Sequence, residues 1–154
     1  MTDTDLPHYV ELANTGILHA IPVAHGMGVK VVEAAPGVAI AEVPVDGNTN
    51  HFGSMYAGVL FTVGEILGGV IGLTSFDSSR FYPLVKELTI SFLKPATTTV
   101  RARAGLDAES VAAIAAEADA NGKADFVLEA ELTDTDGVVV ARTRGTYQIR
   151  AHGR

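Results

Sequence analysis

"NHFGSMYAGVLFTVGEILGGVIGLTSFD" spans residues 50–77, and between His51 and Asp77 it holds one charged side chain, Glu65. The tract 52–76 nearly has the length of a membrane span. A carboxylate at its centre is costly in lipid, and the six glycines from Gly53 to Gly72 weaken an isolated helix. The reading is therefore a buried central helix of a globular domain, with no membrane span. Placed on a helix over 56–75, Val59, Leu60, Val63, Leu67, Val70 and Thr74 gather on one side, the face for packing on a sheet. Gly58, Gly68, Gly69 and Gly72 fall within about 60° of Glu65 on the other side. Such a face suits close approach by another backbone or a slim ligand.

The flanks supply the rest of the fold. Residues 5–20 read as a short amphipathic helix capped by Thr4 or Asp5. "MGVKVVEAAPGVAIAEVPV" (27–45) holds two β-rich runs separated by Pro36-Gly37, a hairpin signal. After the central helix, "FYPLVKELTISFLKPA" gives a strand over about 84–93, ending near Pro95. "TTTVRARAGL" alternates, with Val100, Ala102 and Ala104 on one side and Arg101 and Arg103 on the other. "DAESVAAIAAEADANGK" reads as a short helix stopped at Asn121-Gly122. The remainder is a strand, a turn over Asp134–Gly137 and a last strand. Hairpin-like links imply an antiparallel sheet, and one long apolar helix implies that the sheet wraps it: an α+β domain.

Bulk properties bound the function. A chain of 154 residues, 47% apolar and 19% charged, fits one globular domain over 1–154, with its core at about 21–150. There is no cysteine, so disulfides, thiolate metal sites and thiol nucleophiles are excluded. The first residues show no signal-peptide pattern, and the expected location is cytoplasmic. A net charge of −7 argues against nucleic acid as a partner. Nine of the eleven cations nevertheless fall in two segments, 80–103 and 142–154. Arg80, Lys86 and Lys94 are thus candidates for holding a phosphorylated small molecule. The five histidines lack metal-ligand spacing, G-x-S-x-G is absent, and "GMGVKV" lacks the third glycine of a dinucleotide fingerprint. No metal or cofactor is expected.

Two features of the central helix carry chemistry. A carboxylate on a face without other charges is partly desolvated, which raises its pKa toward the range of a general base. The first free N–H groups of the helix, near Tyr56–Gly58, carry partial positive charge and can hold an oxyanion. Gly58 would leave room for a carbonyl oxygen. An oxyanion site with a base two turns further on suits acyl transfer to water.

At these residues the sequence resembles the hotdog-fold acyl-CoA thioesterases of the phenylacetyl-CoA thioesterase-like type. The matching pattern is N-x-x-G-x-x-Y-A-G at Asn50, Gly53, Tyr56, Ala57 and Gly58, with Glu65 seven residues after Gly58. "ELTISFLKPA" (87–96) is similar to the family's strand after the central helix. The resemblance, over about residues 20–150, implies a hotdog fold and an acyl-CoA substrate. It implies Glu65 as base or nucleophile, Asn50 orienting water or the thioester carbonyl, and an oxyanion N–H from Ala57 or Gly58. It also implies a site shared between two subunits, in a homodimer or dimer of dimers (homotetramer). The departures from the family pattern are Tyr56 for His and Ala57 for Gly; in this reading Tyr56 lines the substrate and Ala57 still offers its N–H. No helper Ser or Thr is assigned before Glu87, where the chain reads Leu84, Val85, Lys86.

Two alternatives stand beside this reading. His51 and Glu65 lie fourteen apart, as in hotdog enoyl-thioester dehydratases, although Gly58 sits seven rather than about five before the acid. In the thioesterase register His51 is a loop residue near the substrate. The other alternative is an acyl-ligand binder that keeps the fold without the chemistry.

Overall fold

The computed structural model describes residues 6–153, with the side chains of Leu6, Pro7 and Leu18 outside the description. Ten elements follow one another: α1 (Leu6–Ala20), α2 (Pro22–Gly26), β1 (Lys30–Ala35), β2 (Val38–Val43), α3 (Ala57–Ser75), β3 (Phe81–Phe92), β4 (Val100–Gly105), α4 (Ala108–Asn121), β5 (Lys123–Thr133) and β6 (Val139–Ala151). The expected caps of α1, Thr4 and Asp5, lie outside the described residues. The short α2 has no counterpart in the sequence reading; Pro22 opens it at the first turn, where a missing N–H costs nothing.

All six strands form one sheet in the order β1-β2-β4-β5-β6-β3, and every neighbouring pair is antiparallel. Gly37, at φ +77°, turns the β1–β2 hairpin, a backbone conformation that glycine adopts without strain. Asp107 caps α4 by accepting the Ser110 N–H at 2.7 Å, and Gly122 ends it in the left-handed region at φ 77°. Asp134 closes the β5–β6 turn by accepting the N–H groups of Asp136 and Val138, each at 2.9 Å.

The strand after the central helix begins at Phe81, three residues earlier than expected. Pro83 does not prevent this, because β3 is an edge strand and a missing N–H is tolerated there. The register shifts between Val85 and Glu87, so Lys86 bulges out of the ladder.

Helix α3 lies in the embrace of the sheet. Val59, Leu60, Val63, Leu67, Val70 and Thr74 are buried as the apolar face requires, and Ile66, Ile71, Gly64, Gly68 and Gly72 are buried too. Among the described residues α3 is the one helix long and apolar enough to cross a membrane, and 61% of that length is buried inside the fold. Its apolarity is therefore largely accounted for by its own core.

The glycines beside Glu65 were expected to admit another backbone or a ligand, and for Gly68 and Gly72 the protein's own sheet fills the space, as it does for Gly64 outside that face. A Cβ at Gly68 would stand 1.9 Å from a ring carbon of Tyr147, one at Gly72 2.5 Å from Pro83, and one at Gly64 2.7 Å from Thr143. Close helix–sheet contact demands the missing side chains. Gly69 differs, since nothing lies within 4 Å of the same position there.

Candidate active site

The helix entrance is held by backbone bonds that the sequence pattern does not reveal. Met55 N–H donates to Ala96 O at 2.7 Å and Tyr56 N–H to Asn48 O at 2.8 Å. Asn48 is itself buried, and its amide donates to Met27 O and Pro44 O at 2.7 and 2.8 Å. Val59 and Leu60 N–H turn back to Tyr56 O. The N–H groups of Ala57 and Gly58 then have no acceptor among the described residues, leaving two donors at the positive end of a 19-residue helix.

Gly58 is explained differently from the expectation. The Tyr56 ring, 57% exposed, folds over the first turn, and a Cβ at Gly58 would lie 2.7 Å from its Cε1 atom. The space that a side chain at Gly58 would take belongs to that ring.

Asn50 organises the loop before the helix. Its Oδ1 accepts the N–H of Phe52 at 2.9 Å and of Ser54 at 3.2 Å, while Nδ2 donates to Ser54 Oγ at 3.2 Å. An amide nitrogen has two hydrogens, so one remains to give. Asn50, Ala57, Leu60, Phe92 and Lys94 share the wall of a cleft of about 330 Å³ at the start of α3. Lys94 has no salt bridge among the described residues. His51 is exposed in the same loop, its ring 4.0 Å from that of Phe52.

Glu65 sits two turns along α3, half-buried. Desolvation by burial raises its pKa above the ordinary 4.5, and no neighbouring cation offsets this. Among the described residues no side-chain oxygen sealed from solvent lacks a hydrogen bond, so the unpartnered carboxylate keeps contact with water. Tyr147, 2% exposed, donates its hydroxyl to the Glu65 backbone carbonyl at 3.0 Å and braces this turn against β6. Burial, and secondarily the nearby Glu65 charge, holds the Tyr147 phenol well above its usual range. Sequence reasoning missed Tyr147; its only trace was an aromatic residue in the last strand.

Distance corrects the layout of a base two turns from its own oxyanion site. At 1.5 Å per residue, Glu65 lies about 12 Å along the axis from Ala57. The free N–H groups point away from it, toward the helix start, and a Glu side chain covers only part of that gap. One chain therefore cannot bring both groups to one carbonyl carbon.

The other predicted cations are placed elsewhere. Arg80 pairs with Asp119 at 2.7 Å beyond the C-terminal end of α3, and Lys86 pairs with Asp125 at 2.7 Å on the outer sheet face. Arg101, Arg142 and Arg144 also pair with glutamates across that face. A larger cleft, about 730 Å³, lies there among Arg103, Glu129, Glu131, Arg142 and Arg144. Neither cleft includes Glu65. We place the candidate site at α3 rather than at the larger cleft, because exposed charge ladders of alternating sign describe a solvated sheet face. Among the described residues no three His, Asp or Glu side chains cluster as metal ligands.

A six-stranded antiparallel sheet wrapped around one central helix is the hotdog fold of the thioesterase superfamily. The chain belongs to the family described as "Domain of unknown function (DUF4442)", whose model matches residues 11–149. It is similar to a Pseudomonas aeruginosa protein of unknown function with the further description "probable thioesterase". That structure is 46% identical, superposes with a TM-score of 0.86, and the match covers 92% of this chain and 95% of the other. A thioesterase of Haemophilus influenzae shares the fold at 17% identity and a TM-score of 0.73, with 94% of each chain covered. A protein of unknown function from Chlorobaculum tepidum does so at 17% and 0.82, covering 92% and 93%. Comparison with curated proteins gave no match.

Proposed function

We propose that this protein hydrolyses an acyl-CoA thioester to a carboxylic acid and CoA. The observation that carries the reading is Glu65, a half-buried carboxylate without a partner whose pKa burial raises, on a helix whose first N–H groups are free. The thioesterase description of the 46%-identical Pseudomonas protein supports the same reaction class.

The 12 Å gap requires a second copy. Strand β3 is a 12-residue edge strand. Its helix-side residues Val85 and Phe92 are 42% and 52% exposed, and the adjoining Leu93 is 47% exposed. An apolar free edge of this length invites pairing with another chain. Two copies joined antiparallel along β3 bring Glu65 of one copy toward the Ala57 and Gly58 N–H groups of the other. The thioester carbonyl oxygen is then held by those N–H groups. Glu65 takes a proton from water as the water oxygen attacks the carbonyl carbon, and the C–S bond breaks to release CoA thiolate. In this reading the second hydrogen of Asn50 Nδ2 steadies the water or carbonyl, with Tyr56 as a wall. Lys94, the unpaired cation of the cleft, meets a CoA phosphate.

The test is Glu65→Gln. Wild type should release free thiol from acyl-CoAs, whereas the variant should still bind them and turn over at least about 100-fold more slowly, the scale of a lost general base. Equal turnover by both proteins would sink the assignment. Hydration of an enoyl thioester that depends on His51 would favour the dehydratase instead.

A further inference from the structure

We propose that the Ser54 hydroxyl is a third donor to the thioester carbonyl oxygen, beside the Ala57 and Gly58 N–H groups. The inference rests on the thioesterase reading of Glu65 and adds a substrate-touching side chain to the oxyanion end of that site.

Hydrogen-bond accounting around Asn50 leaves one hydrogen over. Asn50 Oδ1 takes the N–H groups of Phe52 and Ser54, at 2.9 and 3.2 Å, which fills both of its lone pairs. The same two bonds fix which end of the amide is oxygen. Nδ2 therefore faces Ser54 and donates to its Oγ at 3.2 Å, so that the hydroxyl acts toward Asn50 as an acceptor. For its own hydrogen the one acceptor in reach among the described residues is Asn50 Oδ1, already filled and 3.4 Å away. That is long for an O–H donor, whose bonds run at about 2.5–3.0 Å. A substrate oxygen offers the hydrogen a better partner.

Ser54 is half-buried and its backbone is pinned on three sides. Its N–H donates to Asn50 Oδ1, and its carbonyl accepts the Asn50 N–H at 2.7 Å. The next N–H, that of Met55, donates to Ala96 O at 2.7 Å. Rotation about the side-chain bonds is the freedom that remains, and a donor fixed in this way costs little reorganisation when charge develops on its acceptor.

Ser54 shares the wall of the cleft of about 330 Å³ with Asn50 and Ala57. The side chains of that wall offer donors from Asn50, Ser54 and Lys94, and no carboxylate lines it. Such a lining suits an oxygen that gains negative charge, as a thioester carbonyl oxygen does when water attacks its carbon. Among the described residues no His, Asp or Glu side chain bonds Ser54 Oγ to take its proton. Ser54 thus keeps its hydrogen and acts as a donor rather than as a nucleophile.

The experiment compares wild type, Ser54→Ala and Ser54→Thr as full chains. Turnover is measured as kcat on acetyl- to dodecanoyl-CoA, and binding with two analogues that resist hydrolysis. One is the hexanoyl ketone in which a methylene replaces the thioester sulfur, so that the carbonyl is kept. The other is hexyl-CoA thioether, which has no carbonyl. Ser54→Ala should lower kcat about 100-fold, the scale of one lost oxyanion donor. It should weaken the ketone about fivefold, the scale of one neutral hydrogen bond, and leave the thioether unchanged. Ser54→Thr, which keeps the hydroxyl, should stay near wild type in all three. If the alanine variant does not fold, Ser54→Cys, with its weak S–H donor, replaces it in the binding assay. Equal weakening of ketone and thioether, or full turnover by a folded Ser54→Ala, makes the hydroxyl a loop support; it overturns the donor and leaves the hydrolase reading intact. Wild type that hydrolyses nothing but prefers the ketone, with the preference erased by Ser54→Ala, upholds the donor while the hydrolase reading fails. Wild type that neither hydrolyses nor binds either analogue overturns both.

Discussion

Two adjacent glycines provide the sharpest test of how α3 is held. Gly68→Ala puts a Cβ 1.9 Å from Cε1 and 2.2 Å from Cδ1 of Tyr147. Carbon atoms in contact sit about 3.5–4.0 Å apart, so the ring must retreat by more than about 1.5 Å. It has nowhere easy to go. Its hydroxyl is tied to Glu65 O, one face stacks on Phe126 at 5.7 Å, and its Cε2 edge lies 2.8 Å from where a Gly145 Cβ would be. Overpacking of this kind costs about 1–3 kcal/mol. Losing the hydroxyl's bond adds about 1 kcal/mol, and the better helix propensity of alanine returns about 1 kcal/mol. The net is a destabilisation of about 1–3 kcal/mol, which for a chain of this size lowers Tm by about 3–10 °C. Gly69→Ala meets no atom, keeps the propensity gain of about 1 kcal/mol and should raise Tm by about 2–4 °C. Thermal and urea unfolding of the two variants beside wild type measures the contrast. Tyr147→Leu in the Gly68→Ala background should recover part of the loss, since the two sites couple. Equal shifts of the same sign for both alanines would refute the packing account.

Further outcomes follow from the site. Because burial raises the folded-state pKa of Glu65 above 4.5, the folded chain holds that proton more tightly than the unfolded chain. Stability is therefore lost as pH rises from 4.5 through the raised value. Glu65→Gln should then unfold at higher temperature than wild type at pH 8, with the difference closing toward pH 4, while wild-type kcat/KM rises with pH through a midpoint above the ordinary carboxylate range. Asn50→Asp keeps the acceptor for the Phe52 and Ser54 N–H groups but has no amide hydrogen. It should retain Tm and lose activity, whereas Asn50→Ala should lose both. Lys94→Ala should raise KM for CoA thioesters but not for pantetheine thioesters. Arg80→Ala and Lys86→Ala, which break exposed ion pairs worth less than about 1 kcal/mol each, should change neither KM nor Tm appreciably. Val85→Glu, at the half-exposed edge of β3, should give a monomer by light scattering with activity lost and the fold retained by circular dichroism.

Sequence periodicity and punctuation made the element order legible, because they are local properties. The apolar face of α3, the Pro36-Gly37 hairpin, the Asp107 cap and the Gly122 stop are each written within a few residues of where they act. Glu65 was legible for the same reason, as the one charge in an otherwise apolar stretch. The extended start of β3 was not, since Pro83 signals a break unless its strand lies at a sheet edge, and edge position is a property of the whole sheet.

What the glycines of α3 are for was decided by tertiary structure alone. Helical spacing puts Gly58, Gly68, Gly69 and Gly72 around Glu65 without distinguishing them. Only the approach of β6 and β3 shows that Tyr147 and Pro83 claim two of these spaces, that Tyr56 claims a third, and that Gly69 is left open. Likewise, clustered cations in the sequence became two kinds in space: Arg80 and Lys86 neutralised by aspartates that lie 39 residues from each in the chain, and Lys94, without an ion pair among the described residues, beside Asn50 and Ala57. By itself the sequence determined which local conformations and which unusual charge the chain carries. Contacts between residues far apart in the chain decided which of those groups are spent on the fold and which are left without a partner among the described residues.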